Sequence, residues 1–208
     1  MNVLLINGSP HKNGCTNAAL TEMAKVLNEA GIETTIFHIG AAPVGGCVSC
    51  GGCGKAGKCV FGGPVADVLP LVEKADGIVF GAPVHYATAA ASMLGFMHRL
   101  AISGGKYLRH KPAAVVTSAR RAGTTTALEA MEKVPQFCRS SAQPTGRWST
   151  AARPRRFSPT RRACRSCATW AATWRGCSGA SRPARRQALR HLWRRMTSGR
   201  ISSGKFSK

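Results

Sequence analysis

The chain has 208 residues, enough for one domain with its own core and no need of disulfide support. Its 30 Lys and Arg against 8 Asp and Glu give a net charge of +22, which suggests an anionic partner if read for the chain as a whole. The distribution removes that reading: residues 1–133 hold all 8 acids and 12 basic residues, a net of +4, while residues 134–208 hold 18 basic residues and no acid. No apolar run approaches the roughly 18 residues of a membrane span. Met1 leads into a strand-like run rather than a basic and then apolar leader. A cytoplasmic protein without a membrane segment is therefore expected, and its nine cysteines are read as thiols or metal ligands rather than a disulfide framework.

In chain order, Val3-Leu4-Leu5-Ile6 is a continuous apolar run ended by Asn7-Gly8-Ser9-Pro10, the pattern of a strand buried on both faces. Thr16 to Ala30 has helical spacing, with Gly31 where a helix C-terminus favours it. Thr34 to Ile39 reads as a second strand, Pro64 to Lys74 as a short helix, and Gly77 to Phe80 as a third strand. Ala89 to Ile102 is a further helix, Ala113 to Thr117 a fourth strand, and Thr125 to Lys133 the start of a fourth helix. This alternation predicts βαβ units, hence an α/β domain with a doubly wound parallel sheet over residues 1–133.

Ligands of such sheets bind beyond the carboxyl ends of the strands, so the loops after strands one, three and four should converge. The first, Gly8 to Asn17, is small and polar and opens a helix. Unpaired N–H groups and the helix dipole there suit an anion, with Ser9 and Thr16 hydroxyls completing a phosphate cradle; an ordinary capped βα turn is the alternative. It is neither a Walker loop nor a GxGxxG fingerprint. The other two are Gly81-Ala82-Pro83-Val84-His85-Tyr86 and Ser118-Ala119-Arg120-Arg121-Ala122-Gly123-Thr124.

Together these three ordered motifs resemble the NADPH-dependent FMN reductase family of flavodoxin-like proteins, including its iron-sulfur flavoprotein branch. The resemblance covers roughly residues 1 to 133 and implies strand order 2-1-3-4-5. It further implies that Ser9, His11, Asn13, Cys15, Thr16 and Asn17 surround the phosphate of FMN. Pro83, Val84, His85 and Tyr86 would then lie along one edge of the flavin, with Ser118, Arg120 and Gly123 on its other side. The family often carries Tyr at position 85 and Ser or Asn at position 15, where this chain has His85 and Cys15. His85 is also readable as a surface-loop histidine.

Between the second strand and second helix, Cys47, Cys50, Cys53 and Cys59 sit in a glycine-rich stretch, residues 45–63. Four thiolates at this spacing can wrap one 4Fe-4S cluster. An all-thiolate zinc site and redox-idle thiols are the competing readings. The spacing also resembles that of iron-sulfur flavoproteins, in which the cluster exchanges electrons with FMN.

Residues 134–208 keep no 3.6 or 2 period and interleave Arg with Trp170, Trp174 and Trp193, the composition of an irregular or disordered basic arm. A second account fits the same residues. Back-translated and read from each codon's third base, residues 168–184 permit an amphipathic, helix-patterned peptide, and flanking stretches permit a strand run and, near the end, a stop. These resemble the family's fifth strand and last helix, so a reading-frame slip between about Lys133 and Arg139 is expected, with those two elements lost or non-native.

The leading functional expectation is an NAD(P)H-dependent, FMN-carrying oxidoreductase that delivers electrons to a quinone, a flavin or another small or protein acceptor, with the cluster as one route. FMN carries the chemistry, and no catalytic side chain is assigned. An FMN and iron-sulfur electron carrier that does not oxidise NAD(P)H is the second expectation, and a nucleic-acid binder using the basic tail the third and least favoured. The family resemblance implies a homodimer or homotetramer.

Overall fold

The computed structural model describes residues 1–137 and the short strand at 141–142. A parallel sheet is formed by β1 (Asn2–Asn7), β2 (Glu33–His38), β3 (Gly77–His85), β5 (Pro112–Ser118) and β6 (Ser141–Ala142), in the order β2-β1-β3-β5-β6. A two-residue ribbon, β4 (Thr88–Ala89), folds back antiparallel on β3. Apart from β4, this is the expected flavodoxin-like 2-1-3-4-5 order. The fifth place is held by two residues, Ser141 beside Pro112 and Ala142 beside Ala113. Residues 138–140 and 143–208, which hold most of the stretch expected to be out of frame, lie outside the described residues.

The central strands are buried on both faces, as their unbroken apolar runs require. Val3 and Leu5 of β1, Val79 of β3, and Ala114 and Val116 of β5 pack under α1 (Cys15–Glu29) through Ala19, Leu20, Met23 and Leu27. The alternate residues Leu4, Ile6, Ile78, Phe80 and Val115 face the second layer. That layer is α3 (Pro64–Lys74), α4 (Ala91–Leu108) and α5 (Thr124–Phe137). Helix α1 closes with Gly31 at φ +76°, its N–H on Asn28 O and that of Ile32 on Leu27 O. This two-bond stop needs the left-handed conformation that glycine adopts without strain.

Several elements outrun their sequence signals. β3 continues five residues past Phe80, because Gly81, Ala82 and Pro83 pair with Val116, Thr117 and Ser118, and Val84 and His85 pair with β4. Pro83, Val84 and His85 are thus strand residues, not loop residues. Helix α4 begins two residues later than expected and passes through Ser103-Gly104-Gly105 to Leu108. Helix α5 runs to Phe137, so Val134, in the region where the composition turns basic, belongs to the core. A short helix in the cysteine loop, α2 (Gly52–Ala56), had no sequence signal.

Candidate functional site

The loop between β1 and α1 is organised around Asn7, the last residue of β1, which is fully buried. Asn7 Oδ1 accepts from the Ser9 N–H at 3.0 Å, while its Nδ2 donates to Lys12 O at 3.2 Å and Asn17 Oδ1 at 3.4 Å. One side chain therefore fixes both ends of the loop, meeting the requirement that a buried amide be hydrogen-bonded. Within the loop, Ser9 Oγ accepts from the His11 N–H at 3.1 Å. No side chain caps α1, whose N-cap is Gly14. Gly14 has no side chain to cap the first-turn amides, a geometry that suits an anion.

Two contacts draw neighbouring strands to this loop. His38, at the end of β2, places Nε2 2.7 Å from Ser9 O. A carbonyl only accepts, so Nε2 carries the proton. Thr16 Oγ1 and Ser118 Oγ, 102 residues apart and both buried, are 2.9 Å from each other. One hydroxyl donates to the other, and the accepting hydroxyl keeps its own proton for a further acceptor.

At the far side, the segment after β3 meets the segment after β5. Tyr86 and Ala87 both take left-handed backbone (φ +49° and +67°), and Tyr86 is fully exposed. Consecutive non-glycine residues in this region store strain of a kind that clusters at ligand sites. Gly123, at φ +90°, packs against Ala87 and Val84: a Cβ built there would lie 2.8 Å from Ala87 Cα and from Val84 Cγ1.

The predicted residues therefore separate into groups. Ser9, Thr16 and Ser118 form a buried, hydrogen-bonded floor, with Asn17 joined through Asn7. Cys15 is half-buried in the first turn of α1, and His11, Asn13 and Arg120 are exposed. Val84 and Gly123 are in contact, Pro83 is half-buried, and His85 and Tyr86 are exposed. Sequence reasoning missed Asn7 and His38. Asn7 was legible only as a turn residue, and His38 only as the end of a strand.

Cys47, Cys50, Cys53 and Cys59 line one cavity of about 230 Å³, closed by Val60, Phe61 and, from α4, Arg99, Ile102 and Ser103. None of the four is in a disulfide. The loop is tied to α4 at its entry, where the Val44 N–H donates to Ser92 Oγ at 3.3 Å. Among the described residues no three His, Cys, Asp or Glu side chains converge to hold a single metal ion. The four cysteines share the lining of this one cavity. No described helix is long and apolar enough to cross a membrane.

Residues 1–153 match the family model described as NADPH-dependent FMN reductase. An iron-sulfur flavoprotein of Methanocaldococcus jannaschii is 31% identical over 132 residues, 62% of this chain and 68% of the relative. One from Clostridioides difficile is 27% identical over 131 residues, 62% of this chain and 58% of the relative. One from Archaeoglobus fulgidus is 32% identical over 126 residues, covering 59% and 62%. The matched part thus spans about three fifths to two thirds of these relatives' lengths. Among solved structures, RosB with a bound 8-demethyl-8-formylriboflavin-5'-phosphate superposes with a TM-score of 0.68 at 13% identity, covering 100% of this chain and 91% of that one. A flavodoxin from the domain Archaea gives 0.54 at 16% identity, covering 82% and 94%. At such identities these structures establish the shared fold.

Proposed function

The chain belongs to the NADPH-dependent FMN reductase family, and from this premise we propose that it takes electrons from NAD(P)H through FMN and passes them to a small or protein acceptor, with a 4Fe-4S cluster held by Cys47, Cys50, Cys53 and Cys59. The observation that carries the flavin part is the convergence of three loops at one end of the sheet, joined by the Thr16–Ser118 hydroxyl pair and the Gly123–Ala87 contact. The cysteine-lined cavity supports the cluster part. FMN, when bound, supplies hydride acceptance and onward electron transfer.

The chain's own residues bind and orient. The uncapped first turn of α1 offers backbone donors to the phosphate, and the hydroxyl left over from the Thr16–Ser118 pair adds one more. Ser9 and Asn7 keep the loop in shape through their internal bonds. Pro83, Val84 and Gly123 would flank the flavin ring, Val84 and Gly123 packed on each other, and the exposed Tyr86 would be available to cover it. No acid or base is assigned, because hydride transfer between two bound rings needs placement rather than a side-chain proton donor.

Purified protein reconstituted with FMN should hold one flavin per chain, and anaerobic NADPH or NADH should bleach its visible absorption. Bleaching by dithionite but by neither nicotinamide would refute the reductase reading in favour of an electron carrier. Failure to retain FMN would refute both. The nucleic-acid alternative rests on residues outside those described; salt-independent absence of DNA or RNA binding by the full chain would end it.

A further inference from the structure

Arg99 lies on α4, outside the flavin cradle, and none of the sequence motifs includes it. Its Nε and Nη2 stand 3.3 and 3.2 Å from Cys59 Sγ, and Nη2 also donates to Gly62 O at 2.8 Å. The guanidinium carbon is 6.0 Å from the centre of the Phe61 ring, within reach of a cation–π attraction. Ser103 Oγ donates to the Arg99 carbonyl one turn further along α4 at 2.7 Å. Among the described residues no carboxylate pairs with this guanidinium.

A neutral thiol is a weak acceptor. Two N–H donors from an always-charged group aimed at one sulfur make chemical sense when that sulfur carries negative charge. The rigid fork also fixes where the sulfur sits, while the bond to Gly62 O holds the chain just beyond it. Of the four cavity cysteines, Cys59 is the one with this support.

We propose that Arg99 is the positioning residue of the cysteine cavity: it holds Cys59 Sγ as a cluster ligand and stabilises the negative charge that ligand carries. This rests on the cluster reading above. A bound cluster reduced by one electron from dithionite would carry more negative charge on its sulfurs. Donors and a fixed cation beside one of them favour the reduced state, so the midpoint potential is higher with Arg99 than without it.

The test uses the full chain reconstituted anaerobically with ferrous iron and sulfide, in wild-type, Arg99→Lys and Arg99→Met forms, with FMN content checked to show that the fold is kept. Iron is counted, and the potential is read by dithionite titration followed by electron paramagnetic resonance. We expect four irons per wild-type chain, a lower midpoint potential in Arg99→Met, and an intermediate value in Arg99→Lys. Equal potentials at equal iron content would overturn the proposal, leaving Arg99 as a loop staple through Gly62 and Phe61. If Arg99→Met keeps no iron, the Arg99→Lys potential decides: lowered supports the role, unchanged overturns it. A wild-type chain that takes up no iron overturns the cluster reading itself, before any variant is compared, and this role with it.

Discussion

Replacing Gly123 by alanine tests the joint between the two segments proposed to flank the flavin. At φ +90° an L-residue is strained whatever the surrounding space, at a cost of about 1–2 kcal/mol. The new Cβ would also stand 2.8 Å from Ala87 Cα, closer than such atoms approach, and 3.1 Å from Ala87 C, and these are backbone atoms that move only with the loop. Val84 Cγ1, the third neighbour at 2.8 Å, belongs to a β-branched strand side chain with little freedom to turn away. Overpacking of this kind costs about 1–3 kcal/mol. The combined penalty of roughly 2–5 kcal/mol has two outlets. If the joint stays closed, thermal denaturation records the loss, at about 2–4 °C per kcal/mol for a chain of this size. If the Tyr86–Ala87 segment swings away, the penalty returns when FMN requires the closed joint, and each 1.4 kcal/mol weakens binding about tenfold. Titration by quenching of FMN fluorescence, run beside a melting curve, reads both outlets. A variant with the wild-type melting temperature and a Kd within about twofold of wild type would show that the joint does not shape the site.

His38→Ala removes the bond to Ser9 O; a loss of about 1 kcal/mol of loop order should weaken FMN several-fold, with partial recovery in His38→Gln, as measured by the same titration. Glu132 on α5 has its carboxyl pushed above the ordinary 4.5 by burial and, secondarily, by Glu129. A folded-state value raised in this way means that stability from this group is complete below about 4.5 and lost as pH rises through the folded value. Glu132→Gln should therefore melt higher than wild type at pH 7, with the difference closing towards pH 4, as followed by melting curves across that range. Sequencing independently isolated DNA should show a slip between about Lys133 and Arg139; an intact frame would refute it.

What the sequence made legible follows from how locally each element is specified. β1 needs no partner to be recognised, since Val3 to Ile6 is apolar throughout, and α1 announces both its face and its glycine stop. The extension of β3 was hidden because Gly81, Ala82 and Pro83 are poor strand formers that are held by pairing with β5. The last two turns of α4 were hidden by Gly104 and Gly105, which read as breakers. In the fold, Gly104 admits Leu69, whose Cδ2 occupies the space a Cβ would need. At the site, motif residues fell where topology put them, whereas Asn7, His38 and Arg99 act through partners up to 40 residues away. No spacing rule connects such pairs.

The Thr16–Ser118 hydroxyl pair gives the site a thermodynamic link between its two ends. Whatever anion settles the first turn of α1 also settles Thr16, and through it the end of β5, from which the Ala119–Gly123 segment departs. Free phosphate alone should thus slow amide exchange at Ala119 to Gly123, and a flavin lacking its phosphate should slow exchange in the first turn of α1. By reciprocity, each ligand should tighten binding of the other by the same factor.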